Sequence, residues 1–398
     1  MTNGGIHGRY VLKFRDNNED PTFMRQDLYG DILNALGYPT IQSIKARVYV
    51  EGLPVGYYIL QEEAPSNSFV RSAFHGNNNG KLLIKKIKKL GYPIEADTGA
   101  DFFYTGNKML SSYRIKDTGH GDTSKVIKLL KAFEKLNAKN DNEIKEFEQN
   151  WFDIDTFLKA IAMQYLTGSY DSYWFFTSNF ALYDDPTQSK NDCYRFYFIC
   201  QDWDATFGIH ASKENMQYDD YYEHTYKDYV NNKKWGTDGD SPQRYAVDKL
   251  FQNANVRTRF ETLLINIVKN IFNPNTISKR LDALVERHND EIKWNYDVIK
   301  NKPLRKGKVQ FDYNDFITNI EEGVVESPFG IKQFVYLRAN GINKEFKLNL
   351  DLGKAYNIQS KGTGCQSKYG QCNNEKKENS KKKEKGNKFT ANRKKLYK

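Results

Sequence analysis

A helix, a polar loop, a two-stranded hairpin and an acidic turn follow one another without interruption in this chain, and their order restricts the folds available to it. Residues 153–166 carry apolar side chains at helical spacing. Gly168 follows where a glycine commonly ends a helix. Two apolar runs, 180–183 and 194–200, flank the turn-like insert 184–192. The sequence therefore predicts a helix, a loop and a β-hairpin in that order.

Polar side chains stand at the two ends of this predicted hairpin. Asp202 and Asp204 follow the second strand, and Asp171 and Asn179 precede the first. Carboxylate and amide oxygens that meet at one point suit a hard divalent cation, and Mg²⁺ in turn holds nucleotide phosphates. Protein kinases use a loop Asp, an Asn and a post-hairpin Asp in this order, although the usual HRD and DFG strings are absent here. The spacing alone equally allows a carboxylate pair in a strand-end turn.

Dispersed motifs make the comparison more specific. They are Asp20-Pro21-Thr22-Phe23-Met24-Arg25, residues 48–58, Glu62, Asp171, Asn179-Phe180-Ala181-Leu182-Tyr183 and residues 202–208. In content and order they resemble the CotH kinase family, atypical protein kinases that phosphorylate Ser residues of coat proteins. The resemblance covers roughly residues 7–335. It implies an α+β, atypical protein kinase-like two-lobed fold with a mainly helical C-terminal lobe.

The resemblance also implies roles for individual residues. It implies metal-dependent transfer of phosphate from ATP, with Mg²⁺ or Mn²⁺, to Ser or Thr of a coat or surface protein. The implied roles are Asp171 as the catalytic-loop carboxylate, Asp202 as the metal ligand with Asn179 and Asp204 assisting, and Glu62, Lys85 and Asn179 near the nucleotide. Lys85 ends the strand-like run 81–85, and a solvated basic edge is its alternative interpretation.

We expect three regions: a partial N-terminal nucleotide-binding lobe at 1–123, a catalytic lobe at 124–352 and a disordered lysine-rich tail at 353–398. Family members carry a block with basic residues before the Gly8-Arg9-Tyr10 segment, and its apparent lack here predicts an incomplete N-terminal lobe. That expectation favours an alternative function, a catalytically inactive CotH-like cell-surface binding protein. AMP transfer on the same site is a further alternative, because one fold hosts several chemistries.

The net positive charge comes entirely from the C-terminal end of the chain. The net charge is +10, but residues 361–398 hold 13 basic and 3 acidic residues, and residues 1–360 hold 47 of each. The folded body is therefore not expected to bind nucleic acid, which requires clustered positive charge. The basic tail is expected to remain solvated or to bind an acidic partner. No apolar run approaches the roughly 20 residues that span a bilayer. The resemblance implies a secreted or cell-surface location, although the N-terminus shows no signal-peptide pattern.

Overall fold

Two antiparallel sheets and a large helical layer form the part of the chain that the structure describes. This structure is a computed structural model, and it describes residues 5–6, 9–76, 90–91, 93–106, 110–115, 123–210, 221–231, 244–300, 302 and 311–356. The predicted strand at 81–85 and the lysine-rich tail from residue 357 onward lie outside these ranges.

The first sheet has three strands in the order β1-β3-β2, and they are β1 (Leu12–Arg15), β2 (Ser43–Val50) and β3 (Leu53–Glu62). β2 and β3 form a hairpin, as the strand-like runs 45–50 and 57–60 around Glu51-Gly52-Leu53-Pro54 predict. Glu51 and Gly52 both take positive φ, +52° and +79°, as a tight two-residue hairpin turn requires. β1 pairs antiparallel with β3, and Lys13 lies opposite Gln61. Since side chains alternate along a strand, Lys13, Arg15 and Gln61 share one face of the sheet.

Two helices accompany this sheet, α1 (Arg25–Ala35) between β1 and β2, and α2 (Asn67–His75) after β3. One side of α1 is buried, including Leu28, Tyr29 and Leu33. The apolar spacing from Met24 to Leu36 predicts this helix, and the structure confirms it. α2 lies in the segment 64–123, where the sequence gives no clear periodicity.

The second sheet has the order β5-β4-β6-β7, with β4 (Ile94–Ala96), β5 (Tyr113–Arg114), β6 (Phe180–Asp184) and β7 (Phe196–Cys200). β6 and β7 are the predicted hairpin, and Phe180 pairs with Cys200. Side chains and loop backbone satisfy the outer edge of β7. The Tyr38 hydroxyl donates to Phe198 O (2.5 Å) and accepts from Cys200 N (2.8 Å). Residues 151 and 153 hydrogen-bond both backbone groups of Phe196.

The helix before the hairpin, α5 (Ile154–Thr167), is the most buried helix described. The Asp153 side chain accepts from Thr156 N at 2.8 Å and caps its start. Gly168 ends it in the left-handed conformation with φ +60°. The structure thus confirms the predicted helix and the role of Gly168.

Helices make up most of the remaining described chain, in agreement with the apolar spacing of Leu281, Leu284 and Val285, which predicts helices over residues 245–296. They are α3 (Ser124–Lys135), α4 (Asp141–Asn150), α6 (Tyr173–Phe176), α7 (Tyr226–Asn231), α8 (Tyr245–Leu250), α9 (Ala254–Asn270), α10 (Pro274–Ile299), α11 (Tyr313–Glu321) and α12 (Ile331–Phe346). The α+β class is confirmed. None of the described helices is both long enough and apolar enough to cross a bilayer.

The predicted lobe boundary at residue 123 stays a prediction. β4 lies before this boundary and pairs antiparallel with β6, which lies after it; Ile94 is opposite Leu182. The second sheet therefore draws strands from both predicted lobes. Periodicity could not reveal this pairing, because β4 and β5 contain only 3 and 2 residues.

Candidate active site

The turn that carries the paired aspartates has a constrained backbone. Asp202 and Phe207 take φ of +66° and +50°, values that residues with a Cβ seldom adopt. Phe207 N donates to Thr167 O at 2.6 Å, and Tyr170 N donates to Ala205 O at 3.0 Å. These bonds fix the turn against the end of α5. Strained backbone held this way is common at functional sites, because the surrounding structure must compensate for its cost.

A guanidinium group from the first sheet lies between the two carboxylates. Arg15 Nη2 forms ion pairs with Asp202 Oδ1 and with Asp204 Oδ2, the latter at 2.7 Å. All three side chains are partly buried, and Asp202 is the most exposed of them, at 30%. The site therefore holds positive charge between two carboxylates, at the point where the sequence predicts a cation.

The two carboxyl groups titrate differently although they adjoin each other. Burial raises the pKa of Asp204, and the negative charge of Asp202 raises it further, so Asp204 is the carboxyl that holds a proton most readily. Burial also opposes ionisation of Asp202, but the charge and hydrogen bond of Arg15 outweigh burial and lower the pKa of Asp202. Lys13 adds to this lowering. Asp202 is thus the ionised member of the pair.

The predicted loop residues join the same region. Gln201 N donates to Asn179 O at 3.0 Å, which extends the β6–β7 pairing by one residue toward Asp202. The Asn179 side chain donates through Nδ2 to Asp171 O at 2.8 Å, and Asn179 has φ +54°. This bond leaves the Asn179 amide oxygen as the atom for a cation. Asp171 itself is partly exposed, as an acceptor-binding carboxylate has to be.

Three residues on the inner face of the first sheet were missed from the sequence. Lys13 and Arg15 act electrostatically on Asp202. Gln61, opposite Lys13, is fully buried, and both polar atoms of its side-chain amide are without a hydrogen-bond partner. A buried unpaired amide is costly and calls for a ligand or water. The alternation of charged and apolar side chains in Lys13-Phe14-Arg15 indicated that Lys13 and Arg15 lie on one face of a strand. It did not indicate that this face lies opposite the paired aspartates.

Glu62 has a different environment from the one expected for a nucleotide contact. Its carboxylate accepts from Gln42 N at 2.9 Å and from Ser72 Oγ at 3.1 Å, and it pairs with Arg9 Nε at 2.7 Å. It is 1% exposed. These contacts join the end of β3 to α2, so the described role of this carboxylate is to hold the segment after β3. Lys85 lies outside the described residues.

A buried ion pair anchors the first sheet's connection to the acidic turn. Asp20 accepts from the Arg25 guanidinium at 2.6 Å, and both side chains are buried. Arg25 Nε also donates to Thr206 O at 3.0 Å, inside the acidic turn. The resemblance motif 20–25 therefore positions the start of α1 on the turn. On the same side of α1, the Tyr29 ring stacks on Trp203 with 4.9 Å between ring centroids.

The donor set fits Mg²⁺ or Mn²⁺. Asp202, Asp204 and the Asn179 amide oxygen would supply hard oxygen ligands, and Mg²⁺ is commonly held by one or two carboxylates together with phosphate oxygens and water. Within the described ranges, no cluster of three or more His, Cys, Asp or Glu side chains is placed to hold a metal alone. Two carboxylates and one amide oxygen would leave the remaining positions of a bound Mg²⁺ to phosphate oxygens and water.

Comparisons with known proteins identify the family to which the chain belongs. The family model for CotH kinase protein matches residues 3–342. Two curated relatives from Rhizopus delemar, Invasin CotH2 and Invasin CotH3, are 26% and 28% identical over 86% of this chain and 55% of their own length. Spore coat protein homolog 1 from the same organism is 26% identical over 74% of this chain and 44% of its own length. The chain thus spans about half the length of these relatives. With a family match over most of the chain and the predicted helix, loop, hairpin and acidic turn in place, the chain belongs to the CotH kinase protein family, whose fold is kinase-like.

Proposed function

We propose that this chain is a metal-dependent kinase that transfers the γ-phosphoryl group of ATP to a Ser or Thr hydroxyl of a coat or surface protein. The observation that carries the proposal is the pairing of Arg15 with both Asp202 and Asp204, which sets these two carboxylates opposite a strand with two cations, Lys13 and Arg15. The backbone of Asn179 is next to this turn, because its carbonyl accepts from Gln201 N. Kinases need these components: oxygen ligands for metal and a basic strand residue for phosphates.

Each residue has a distinct task in this proposal. Asp202 and Asp204 would hold the metal with the Asn179 amide oxygen, and the metal would neutralise phosphate charge when bound. Arg15 would leave the carboxylates and pair with phosphate oxygens, which its planar guanidinium fits well. Asp171 would accept a hydrogen bond from the acceptor hydroxyl and orient it for in-line attack. Transfer then depends mainly on positioning and charge neutralisation.

The unpaired Gln61 amide supports a place for the nucleobase. It lies on the strand face that carries Lys13 and Arg15, and it has one donor group and one acceptor to offer. A purine edge presents complementary donors and acceptors. The family's kinase-like fold makes ATP the natural donor, and the predicted lobes, 1–123 and 124–352, would lie on either side of it.

Label transfer tests this proposal. The protein is incubated with Mn²⁺, a Ser-rich acceptor and ATP labelled in either the α or the γ position. We expect acceptor label from γ-labelled ATP only. An Asp155→Asn variant is the matched control for the aspartate substitutions at the site. Asp155 is an exposed carboxylate that pairs with Lys159 at 2.8 Å, so its loss should leave the transfer unchanged. Transfer from the α label alone would replace the proposal with AMP transfer.

A second function, non-catalytic binding at a cell surface, is favoured by two observations. Two of the relatives are named invasins. Arg15 also occupies both carboxylates, which opposes metal binding until Arg15 moves. No label transfer from either ATP, with Mn²⁺ binding also absent, would move this function to first place. A surface location belongs to both functions and is likewise proposed.

A further inference from the structure

A polar pocket, separate from the paired aspartates, lies on the opposite side of α1 from the acidic turn. Its volume is about 550 Å³, within the range of small-molecule sites. Its lining comes mainly from α1, β2 and α10, and Tyr57 of β3 contributes as well. Asp27, Asp31 and Asn34 line it from α1, while Tyr29 of the same helix stacks on Trp203. The paired aspartates contribute no side chain to it.

Cations exceed carboxylates around this pocket. The lining contains four cationic side chains and three carboxylates, which are Lys45, Arg47, Arg280 and Arg287 against Asp27, Asp31 and Glu291. Three ion pairs use all of the carboxylates: Lys45 with Asp27, Arg47 with Glu291, and Arg280 with Asp31 at 2.7 Å. Arg287 forms no ion pair with a carboxylate in the described part of the chain. One positive charge on the wall is therefore left without a counterion.

Burial and the excess positive charge both lower the pKa values of two groups in the pocket, Lys45 and His288. The Lys45 side chain is 1% exposed. Burial lowers its pKa to about 7, and Arg287 and Arg280 lower it too, against the opposing charge of Asp20. Burial lowers the pKa of His288 to about 4, with Lys45, Arg287 and Arg280 acting in the same direction. His288 is therefore neutral near pH 7, and its Nδ1 lies 2.9 Å from the Tyr57 hydroxyl.

These observations point to an anion. The pocket is concave, it contains a buried lysine, and its unpaired guanidinium lies on the adjacent helix α10. An anion beside Arg287 would supply the missing counterion and would make the charged form of Lys45 easier to bury. Guanidinium and ammonium groups together are the usual ligands of phosphate, since Arg binds two of its oxygens and Lys adds a point charge.

We propose that the pocket formed by Lys45, Arg280 and Arg287 binds a phosphate-bearing anion, at a site separate from the paired aspartates. A phosphate monoester or a short polyphosphate fits the available volume and the excess of cationic side chains in the lining. The proposal does not depend on kinase activity, because it concerns binding at other residues.

Calorimetry without added metal tests it, with two phosphate sources as separate titrations. One probe is inorganic tripolyphosphate, and the other is a short phosphoserine peptide compared with its unphosphorylated form. We expect at least one of them to bind. Arg287→Ala should weaken binding about 10-fold or more, because a charge-assisted hydrogen bond is lost. Arg287 is exposed, so this substitution should leave the fold intact.

The control variant Lys279→Ala separates this pocket from other basic surfaces. It removes an exposed charge from the same helix, outside the pocket. This substitution should not change the affinity more than about 2-fold. For the phosphoserine peptide, whose phosphate is already dianionic between pH 7 and 9, affinity should fall as pH rises, because Lys45 loses its proton.

Three outcomes would overturn the proposal. They are no binding of either probe at millimolar concentration, equal affinity of the wild type and Arg287→Ala, or an equal loss in the Lys279→Ala control.

Discussion

Replacing Arg15 by Met tests whether its guanidinium competes with metal for the paired aspartates. Met keeps much of the side chain's length and removes the charge. Arg15 contacts both carboxylates, and a hydrogen bond to a charged group contributes about 1.5–3 kcal/mol. Because the three side chains are 12–30% exposed, solvent screens these contacts, and we take the lower end as the free energy of displacing Arg15 from both carboxylates together. About 1.5 kcal/mol corresponds to roughly 10-fold in affinity.

We therefore expect Mn²⁺ to bind the nucleotide-free Arg15→Met variant about 10-fold more tightly than the wild type at pH 8, measured by calorimetry. In contrast, label transfer from ATP should fall, since a phosphate ligand is lost. Arg114→Met is the matched control, because Arg114 is an exposed arginine that pairs with Asp97 on the second sheet. Its Mn²⁺ affinity should equal that of the wild type.

The pH dependence has a definite sign. The pKa of Asp204 is raised in the folded protein, so protons compete with metal, and wild-type Mn²⁺ affinity should increase as pH rises through that raised value. Asp202 has a lowered pKa because of Arg15, and in Arg15→Met its pKa should rise. The variant should therefore lose Mn²⁺ affinity more steeply than the wild type between pH 8 and pH 6. Unchanged or weaker Mn²⁺ binding by the variant at pH 8 would refute the competition.

Three further substitutions test the site and its support. Asp202→Ala should abolish metal-dependent ATP binding while leaving the melting temperature nearly unchanged, and unchanged Mn²⁺-ATP affinity in calorimetry would exclude Asp202 as the main ligand. Asp171→Asn should lower transfer by on the order of 10²-fold while changing metal and ATP affinity little, as single-turnover kinetics can show; a loss of metal binding as complete as in Asp202→Ala would instead make Asp171 a ligand. Arg25→Met should lower the free energy of unfolding by about 3–5 kcal/mol, because it leaves Asp20 buried and unpaired. Urea denaturation measures this loss, and one below about 1 kcal/mol would contradict the structural role.

The sequence predicted the parts of the site that lie close together along the chain. Asp171, Asn179 and Asp202 fall within one helix, loop and hairpin, whose periodicity and turn residues are readable. Arg15 could not be placed, because it reaches Asp204 from 189 positions away and no local pattern encodes that pairing. β4 and β5 were missed because strands of 3 and 2 residues show no alternation.

The anion pocket could not be predicted from the sequence either, because its residues are far apart along the chain. Lys45 lies on β2, and Arg287 lies on α10, more than 200 residues later. Each looks like an ordinary surface charge in its own segment. Their joint effect depends on how α10 packs beside α1, which tertiary packing decides.

The occupied outer edge of β7 has a consequence for solubility. An apolar strand such as Phe196–Cys200 with free backbone groups along its edge would be a template for pairing with other chains. Here the Tyr38 hydroxyl hydrogen-bonds two of those backbone groups, Phe198 O and Cys200 N. Thr156 Oγ1 accepts from Phe198 N at 3.4 Å. The backbone of residues 151 and 153 hydrogen-bonds the N–H and C=O of Phe196. The Tyr38 hydroxyl, the Thr156 hydroxyl and the backbone of residues 151 and 153 together thus take the place of a neighbouring strand without offering a new edge. Protection of the native protein against fibril formation at β7 therefore rests on side chains more than on sheet closure.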